Sequence, residues 1–208
     1  MDAGSRSPDG FDMTMLYAAY RAFRRDLARL AATGPGRDLF AADGWAAFKR
    51  RLAFQNEAEG RFLWRVAPSR LAGDPPRLAA LAELELGEVR LISRMDAVDA
   101  ALAYGDERAL ARHSREFAAA FHHHLDLKEA VALPLLPYAL SPYEWAAFEI
   151  ESRRLLGRRG LADYLPWLLD GAPRTTEAAV MRLLPPPVRL LYRASWRSRY
   201  RRRPMAAV

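Results

Sequence analysis

Helical periodicity of the apolar residues is the feature that most constrains the fold of this chain. Four long segments carry apolar side chains every three or four residues, and breaker stretches such as "TGPG" and "GDPP" separate them. This spacing places apolar residues along one face of an α-helix, whereas strand signals are scarce. We therefore predict an all-α protein in which four amphipathic helices with short connections form an up-down-up-down four-helix bundle.

Helix boundaries follow from the stop signals. The first helix should span about residues 11–32 and the second about residues 43–68. The third opens after "GDPP", and the fourth follows "YGDE" and runs to the prolines at 134 and 137. Further helical pieces begin with "SPYEWAAFEIESRRLLGR". We expect a bundle over residues 1–140 and a helical extension over residues 141–208 that packs on it.

Polar residues interrupt the apolar faces of the predicted helices. All lie near the middle of their helices, so in an antiparallel bundle we expect them to meet at one level. An unpaired carboxylate inside a protein costs roughly several kcal/mol, so this convergence indicates a site. Glu129, five residues after His124, is placed to lean into the same cavity. The interrupting residues are Tyr20, Gln55, Glu59, Glu88 and His124.

Three of the four histidines are adjacent in the sequence, at positions 122 to 124. The apolar spacing places only His124 on the buried face of its helix. We expect His122 and His123 to flank it without a chemical function, and we expect a structural role for His113.

The composition restricts the chemistry further. The 208 residues include no cysteine, which excludes disulfides, thiolate nucleophiles and zinc–thiolate sites. No apolar run approaches the roughly 18 residues of a membrane span, and "MDAGSRSPDG" lacks the layout of a signal peptide. We therefore expect a cytoplasmic protein.

The net charge of +7 comes from the tail, because residues 189–203 contain seven arginines and no acid. Aromatic residues at 192, 196 and 200 and arginines at 189, 193 and 197 each repeat at every fourth position. Such spacing predicts a helix whose aromatic side docks on the bundle while its arginines face water. A membrane-surface or nucleic-acid role is a weaker alternative, since the sequence carries no recognised nucleic-acid motif.

Several segments resemble the hemerythrin-like (HHE cation-binding) domains, and the likeness covers most of the chain. Each segment is similar to one helix of that family: "MLYAAYRAFRRDLARL", "LAFQNEAEGRFLW", "LELGEVRLISRMDAVDAAL" and "HHHLDLKEAVALPL". The end of the chain is similar to that of longer bacterial members. The resemblance implies a bundle that, in its relatives, holds two irons bridged by carboxylates and capped by histidines. Those relatives carry or sense oxygen, store iron or handle peroxide.

The resemblance assigns the bridging acids to Glu59 and Glu129 and one capping histidine to His124. The family's other capping positions hold Tyr20, Gln55, Leu84 and Glu88. Imidazole stabilises the ferrous iron that binds oxygen reversibly, and a phenol, an amide or an alkyl group does not replace it. An intact diiron site and an oxygen-carrier function are therefore not expected.

Three functional interpretations remain open. In the first, a half-site holds a single iron, manganese or zinc ion, since one histidine with three carboxylates suits a divalent metal. A carboxylate-rich, iron-dependent oxygenase is a further alternative. In the second, the cavity holds no metal, and crowded carboxyl groups with at least one raised pKa act as general acids or bases. In the third, the bundle is a non-catalytic module that binds a metal or a ligand or has a regulatory role.

We favour an enzyme that transforms a small organic molecule in the bundle cavity by acid–base chemistry, with at most one divalent metal as cofactor. The residues expected to carry catalysis, or to hold that metal, are Glu59, His124, Glu88 and Glu129. The residues expected to bind the substrate are Tyr20, Gln55, Phe54, Phe62, Leu84 and Phe121.

Overall fold

The structure, a computed structural model, describes residues 11–32 and 44–202, and every regular element in these ranges is a helix. The prediction of an all-α chain is thereby confirmed. The α-helices are α1 Thr14–Ala32, α2 Gly44–Glu59, α3 Ala67–Arg70, α4 Pro75–Tyr104, α5 Glu107–Leu127, α6 Leu133–Ala139, α7 Pro142–Leu169, α8 Arg174–Leu183, α9 Pro186–Leu191 and α10 Arg197–Arg202.

Local sequence signals set the beginnings of the long helices. The Asp74 and Asp106 carboxylates accept hydrogen bonds from first-turn backbone amides of α4 and α5. Such N-cap bonds satisfy amide groups that have no partner inside the helix. Ser141 and Glu144 form a reciprocal capping box at the start of α7.

The end of the predicted fourth helix is one point where the structure differs from the sequence prediction. The prolines at 134 and 137 were expected to end it, but helical structure continues through Pro137 to Ala139. A proline removes one intrahelical hydrogen bond. Burial of Leu133 and Leu136, both at 0% exposure, offsets that loss because it removes large apolar side chains from water.

Two π-helical turns, which are wider than α-helical turns, directly follow α2 and α5. Gly60–Trp64 continues α2 directly after Glu59, and Lys128–Ala132 continues α5. In the second of these, the Leu133 amide donates to the carbonyl five residues earlier, the bond that defines a π turn. A third π turn, Tyr192–Trp196, joins α9 to α10.

The first π turn changes which side chains are buried beyond Glu59. The α-helical spacing predicts Phe62 on the buried face, but Phe62 is half-buried, whereas Leu63 and Ala67 are fully buried. A π turn contains more residues than an α turn. The buried positions after Glu59 are therefore spaced by four residues, at Leu63 and Ala67. The Arg61 guanidinium lies over the Phe62 ring, 5.5 Å from its centroid.

The described residues divide into two compact units. The first contains residues 11–23, 46–65 and 140–202, and the second contains residues 24–32, 44–45 and 66–139. In the first unit, α7 contacts the π turn Gly60–Trp64 and the C-terminal helical segment, and in the second unit α4 packs along α5. The division of the chain at residue 140 into a bundle and an extension stays a prediction.

A single glycine divides α7 into two helical stretches. Gly157 has φ +59° and ψ −178°, a conformation that is essentially restricted to glycine. The backbone on both sides is helical, so Gly157 fixes the direction of the second stretch relative to the first.

The arginine-rich tail is helical and packs against α7. Tyr192 is 2% exposed, whereas Arg193 and Arg199 are exposed. The Nη1 atom of Arg197 lies 3.7 Å from Oε1 of Glu177. None of the helices in the described ranges has the length and apolar character that a membrane crossing requires.

Candidate functional site

A buried carboxylate lies at the centre of a polar network in the first unit. Glu59 is 1% exposed. Its Oε1 atom accepts hydrogen bonds from the Tyr20 hydroxyl at 2.9 Å and from the Gln55 side-chain amide at 2.8 Å. The Trp64 indole nitrogen lies 3.5 Å from Oε2. These donors compensate part of the free energy that desolvation of the carboxylate costs.

The network extends from Glu59 to a tyrosine of α7. The Tyr164 hydroxyl donates to Gln55 Oε1 at 2.8 Å, so Gln55 links Tyr164 to Glu59 through hydrogen bonds in series. Burial and the charge of Glu59 raise the pKa of Tyr164 well above its usual range, although Arg51 opposes this shift. Tyr164 is therefore a neutral donor at physiological pH, and it fixes the orientation of the Gln55 amide.

A cavity of about 70 Å³ opens beside this network, and Gln55 and Tyr164 form part of its wall. One water molecule needs roughly 10–15 Å³, so the space accepts several water-sized groups. Most of the wall is apolar. It also includes aromatic and polar side chains from α2 and α7, among them Phe54, Trp145, Phe148, Glu149, Ser152 and Arg153.

Charged side chains give the cavity acid–base character. Burial raises the pKa of Glu149, the charge of Arg153 lowers it and the charge of Asp12 raises it, with a net increase above the usual value. A glutamate with a raised pKa suits general acid–base chemistry near neutral pH. Ser152, in the same wall, has a buried hydroxyl without a hydrogen-bond partner among the described residues.

A second group of ionisable side chains lies in the other unit, on α4, α5 and the π turn that follows α5. Lys128 is 4% exposed, and its Nζ atom lies 3.3 Å from Glu88 Oε1. His124 is 3% exposed, and its Nε2 atom lies 3.9 Å from the same oxygen. Fully buried lysines are rare unless they are paired, so Glu88 compensates the charge of Lys128.

Glu129 takes part in an ion-pair cluster of the second unit. The two terminal nitrogens of Arg24 donate to the two carboxylate oxygens of Glu129 at 2.6 and 3.1 Å. Arg24 also donates to Asp126 at 2.6 Å. Burial alone would lower the pKa of Arg24, but these hydrogen bonds and charges raise it above its ordinary value. Arg24 and Glu129 thus form a bidentate, charge-assisted pair.

The first unit contains half of the predicted site residues. Tyr20, Gln55 and Glu59 are joined by hydrogen bonds, as their shared position on apolar faces suggests. Phe54 and Gln55 line the cavity. Phe62 is half-buried and is not among the described residues that line the cavity.

The second unit contains the remaining predicted site residues. Glu88 lies beside His124, and Glu129 is paired with Arg24. Leu84 and Phe121 are buried, and the ring of Phe121 is stacked near His124 with centroids 6.5 Å apart. A common catalytic role for the residues of both units stays a prediction.

Several side chains of these networks are absent from the sequence prediction, among them Arg24, Lys128, Glu149 and Tyr164. Arg24 and Lys128 had a usable signal, because each lies four residues after a polar residue on an apolar helix face. Lys128 is also one of only two lysines in the chain. Glu149 and Tyr164 had no such signal, since α7 was assigned to the extension and its partners are distant in sequence.

The described donor atoms are not arranged as a metal site. No group of three or more histidine, aspartate and glutamate side chains in the described ranges is placed to hold a metal ion. Glu129 is paired with Arg24 and Glu88 with Lys128, so these carboxylates have cationic partners within the protein. No chemical step is therefore assigned to a metal, and the single-metal hypothesis stays a prediction that elemental analysis would test.

Comparison of the chain with protein-family models, with curated proteins and with solved structures found no significant match. The hemerythrin-like relationship therefore rests on the sequence segments alone.

Proposed function

We propose that the protein binds a small, largely apolar organic molecule in the cavity of the first unit and promotes proton transfer to or from it. The observation that carries this proposal is Glu149, a carboxyl group with a raised pKa in the cavity wall. The fixed Gln55–Tyr164 pair lies in the same wall. A titratable group with an altered pKa in a mainly apolar pocket is a feature of many catalytic sites.

The residues have different proposed roles. Glu149 is the general acid or base, because it lines the cavity and its raised pKa brings its titration closer to neutral pH. Gln55 and Tyr164 orient the bound molecule. Glu59 is a positioning residue, because its carboxylate accepts a hydrogen bond from the amide nitrogen of Gln55 while Tyr164 donates to the amide oxygen. For His124, a role in proton transfer stays a prediction from the sequence.

The proposal retains the hemerythrin-like relationship. In it, α1, α2, α4 and α5 correspond to the four helices of a hemerythrin-like bundle that has lost most of its ligand histidines. The proposed chemistry takes place in a different space, the cavity that α1, α2 and α7 line, and Gln55 is the one former ligand position in its wall. The all-α architecture is compatible with this relationship.

Deuterium exchange tests the proposal. The full chain is incubated in D₂O with a library of small, mainly apolar ketones, aldehydes and aminoketones, whose C–H bonds next to the carbonyl are acidic enough for a positioned carboxylate to exchange, and mass spectrometry detects deuterium incorporated at carbon. We expect exchange that depends on the protein for at least one compound. Glu149→Gln should slow it by about 10²-fold or more, because a positioned acid or base contributes that factor.

Glu151→Gln is the matched control. Glu151 lies on the same helix, 2.5 Å from Arg154, and is not among the described lining residues. Unchanged exchange in Glu149→Gln, or an equal loss in both variants, would contradict the acid–base role. Binding in the cavity without any exchange, detected by ligand-observed NMR, would show a binding module in place of an enzyme.

A further inference from the structure

The cavity of the first unit carries an excess of negative charge. Among its described lining residues, Asp12 and Glu149 are acidic and Arg153 is basic. The negative charge of Asp12 raises the pKa of Glu149, and both carboxyl groups belong to lining residues of this cavity. A bound cation would relieve their repulsion, whereas a bound anion would add to it.

Aromatic side chains line the same cavity. Aromatic faces attract cations through their quadrupole and also accept apolar groups. Trp145 stacks on Phe11, with ring centroids 5.0 Å apart and an interplanar angle of 5°, and its ring also lies 5.3 Å from Phe148. These aromatic side chains are therefore held in place by one another, and they give the wall an apolar surface.

We propose that the ligand of this cavity is a primary organic amine with a compact apolar body, bound in its ammonium form at the side of Asp12 and Glu149. This inference rests on the proposed function and adds the chemical class of its substrate. Ser152 also lines this cavity, and its buried hydroxyl has no hydrogen-bond partner among the described residues. A volume of about 70 Å³ limits the body to a small ring or a short alkyl chain.

The amine assignment agrees with the proposed role of Glu149. A bound ammonium group stabilises the ionised form of a neighbouring carboxyl group. Binding of the amine therefore lowers the pKa of Glu149 and keeps it ionised, so the role that remains for Glu149 in the complex is that of the base and not of the acid. Arg153 would attract an anion, but the two carboxylates that share its cavity oppose this.

Matched probes test the inference on the full chain. Propylamine, 1-propanol and propanoate form one series, and isopropylamine, 2-propanol and 2-methylpropanoate form the other; their short alkyl bodies suit a cavity of about 70 Å³. Calorimetry or ligand-observed NMR at pH 7 gives the dissociation constants. We expect each amine to bind about tenfold or more tightly than its alcohol, and each carboxylate to bind most weakly. The carboxyl groups of Asp12 and Glu149 attract an ammonium group and repel a carboxylate, whereas an alcohol is neutral.

Variants link this preference to the two acids. Glu149→Gln and Asp12→Asn should each reduce the amine-to-alcohol preference by about fivefold or more, while alcohol binding persists and shows an intact cavity. Glu151→Gln should leave the preference unchanged. Alcohols that bind as tightly as amines, or carboxylates that bind best, would overturn the amine assignment and leave the proposed function standing. Failure of all six probes to bind would overturn both.

Discussion

The imidazole of His124 lies directly against the backbone of Gly87. A Cβ atom at position 87 would lie 2.8 Å from His124 Nδ1, closer than non-bonded contacts of Cβ atoms in proteins. Gly87 is inside α4, where glycine is less favourable than alanine by about 1 kcal/mol. The close approach of the buried ring therefore accounts for a glycine at this position.

We expect Gly87→Ala to destabilise the protein by about 1–3 kcal/mol, because the added methyl group must displace the buried His124 ring. Denaturant unfolding followed by circular dichroism measures the change. In the control, Gly60→Ala, nothing lies within 4 Å of the added Cβ. We expect the control to be neutral or stabilising by up to about 1 kcal/mol, and equal effects of the two substitutions would contradict the contact.

Replacing the Glu59 carboxylate removes the acceptor of two buried donors, the Tyr20 hydroxyl and the Gln55 amide. We expect Glu59→Leu to lower the free energy of unfolding by about 3 kcal/mol or more, and Glu59→Gln, which keeps an acceptor oxygen, by about 1–2 kcal/mol. In a Tyr20→Phe background the cost of Glu59→Leu should fall by about 1 kcal/mol, since one donor is gone. Strictly additive costs would argue against the Tyr20–Glu59 hydrogen bond.

Arg24 and Glu129 offer a test of a structural role for Glu129. Arg24→Gln or Glu129→Gln should each cost about 1–2 kcal/mol, because the pair is partly buried and bidentate. The double variant should show a coupling of about 1 kcal/mol in denaturant unfolding. Arg24→Lys keeps the charge but loses the planar fork, so it should not restore full stability. No coupling would leave Glu129 available for the catalytic or metal-binding role that the sequence predicts.

Glu149 should make stability depend on pH. Its pKa in the folded protein lies above the ordinary value of 4.5, so the native state binds more protons than the unfolded state between the two values. Stability therefore falls as the pH rises through this window. We expect Glu149→Gln to melt at a higher temperature than the unsubstituted protein at pH 7, with the difference vanishing below pH 4.5. A difference that is the same at pH 7 and pH 4 would contradict the shift.

Helical spacing predicted the burial of Tyr20, Gln55, Glu59 and His124, because it determines which residues share the apolar face of a helix. The same spacing predicted Glu88 in the interior, but its side chain is 36% exposed. Gln55 and Glu59 lie buried where this spacing places them. Of the three adjacent histidines, His124 is 3% exposed, His122 is half-buried and His123 is exposed. The spacing of apolar residues along the sequence therefore identifies which of the three adjacent histidines is buried, and composition alone does not.

The partners of these residues in three dimensions could not be predicted in the same way. Tyr164 donates to Gln55 across 109 sequence positions, and such a contact depends on how separate helices pack. The π turn after Glu59 could not be predicted from a pattern based on 3.6 residues per turn. That pattern places Phe62 on the buried face, whereas the structure has Leu63 buried there. Long basic side chains such as Arg24 reach across a helix face, and their positions depend on which acid lies nearby.

Gly157 has a consequence for selectivity. Trp145 and Leu156 line the cavity before it in α7, and Leu161 and Tyr164 line the cavity after it. The span between these parts of the wall depends on one pair of backbone torsion angles. A β-carbon at Gly157 would strain them by about 1–3 kcal/mol, and relief would move one part relative to the other. The width of the cavity is thus set in part by a residue that has no side chain and is not among the described residues that line it.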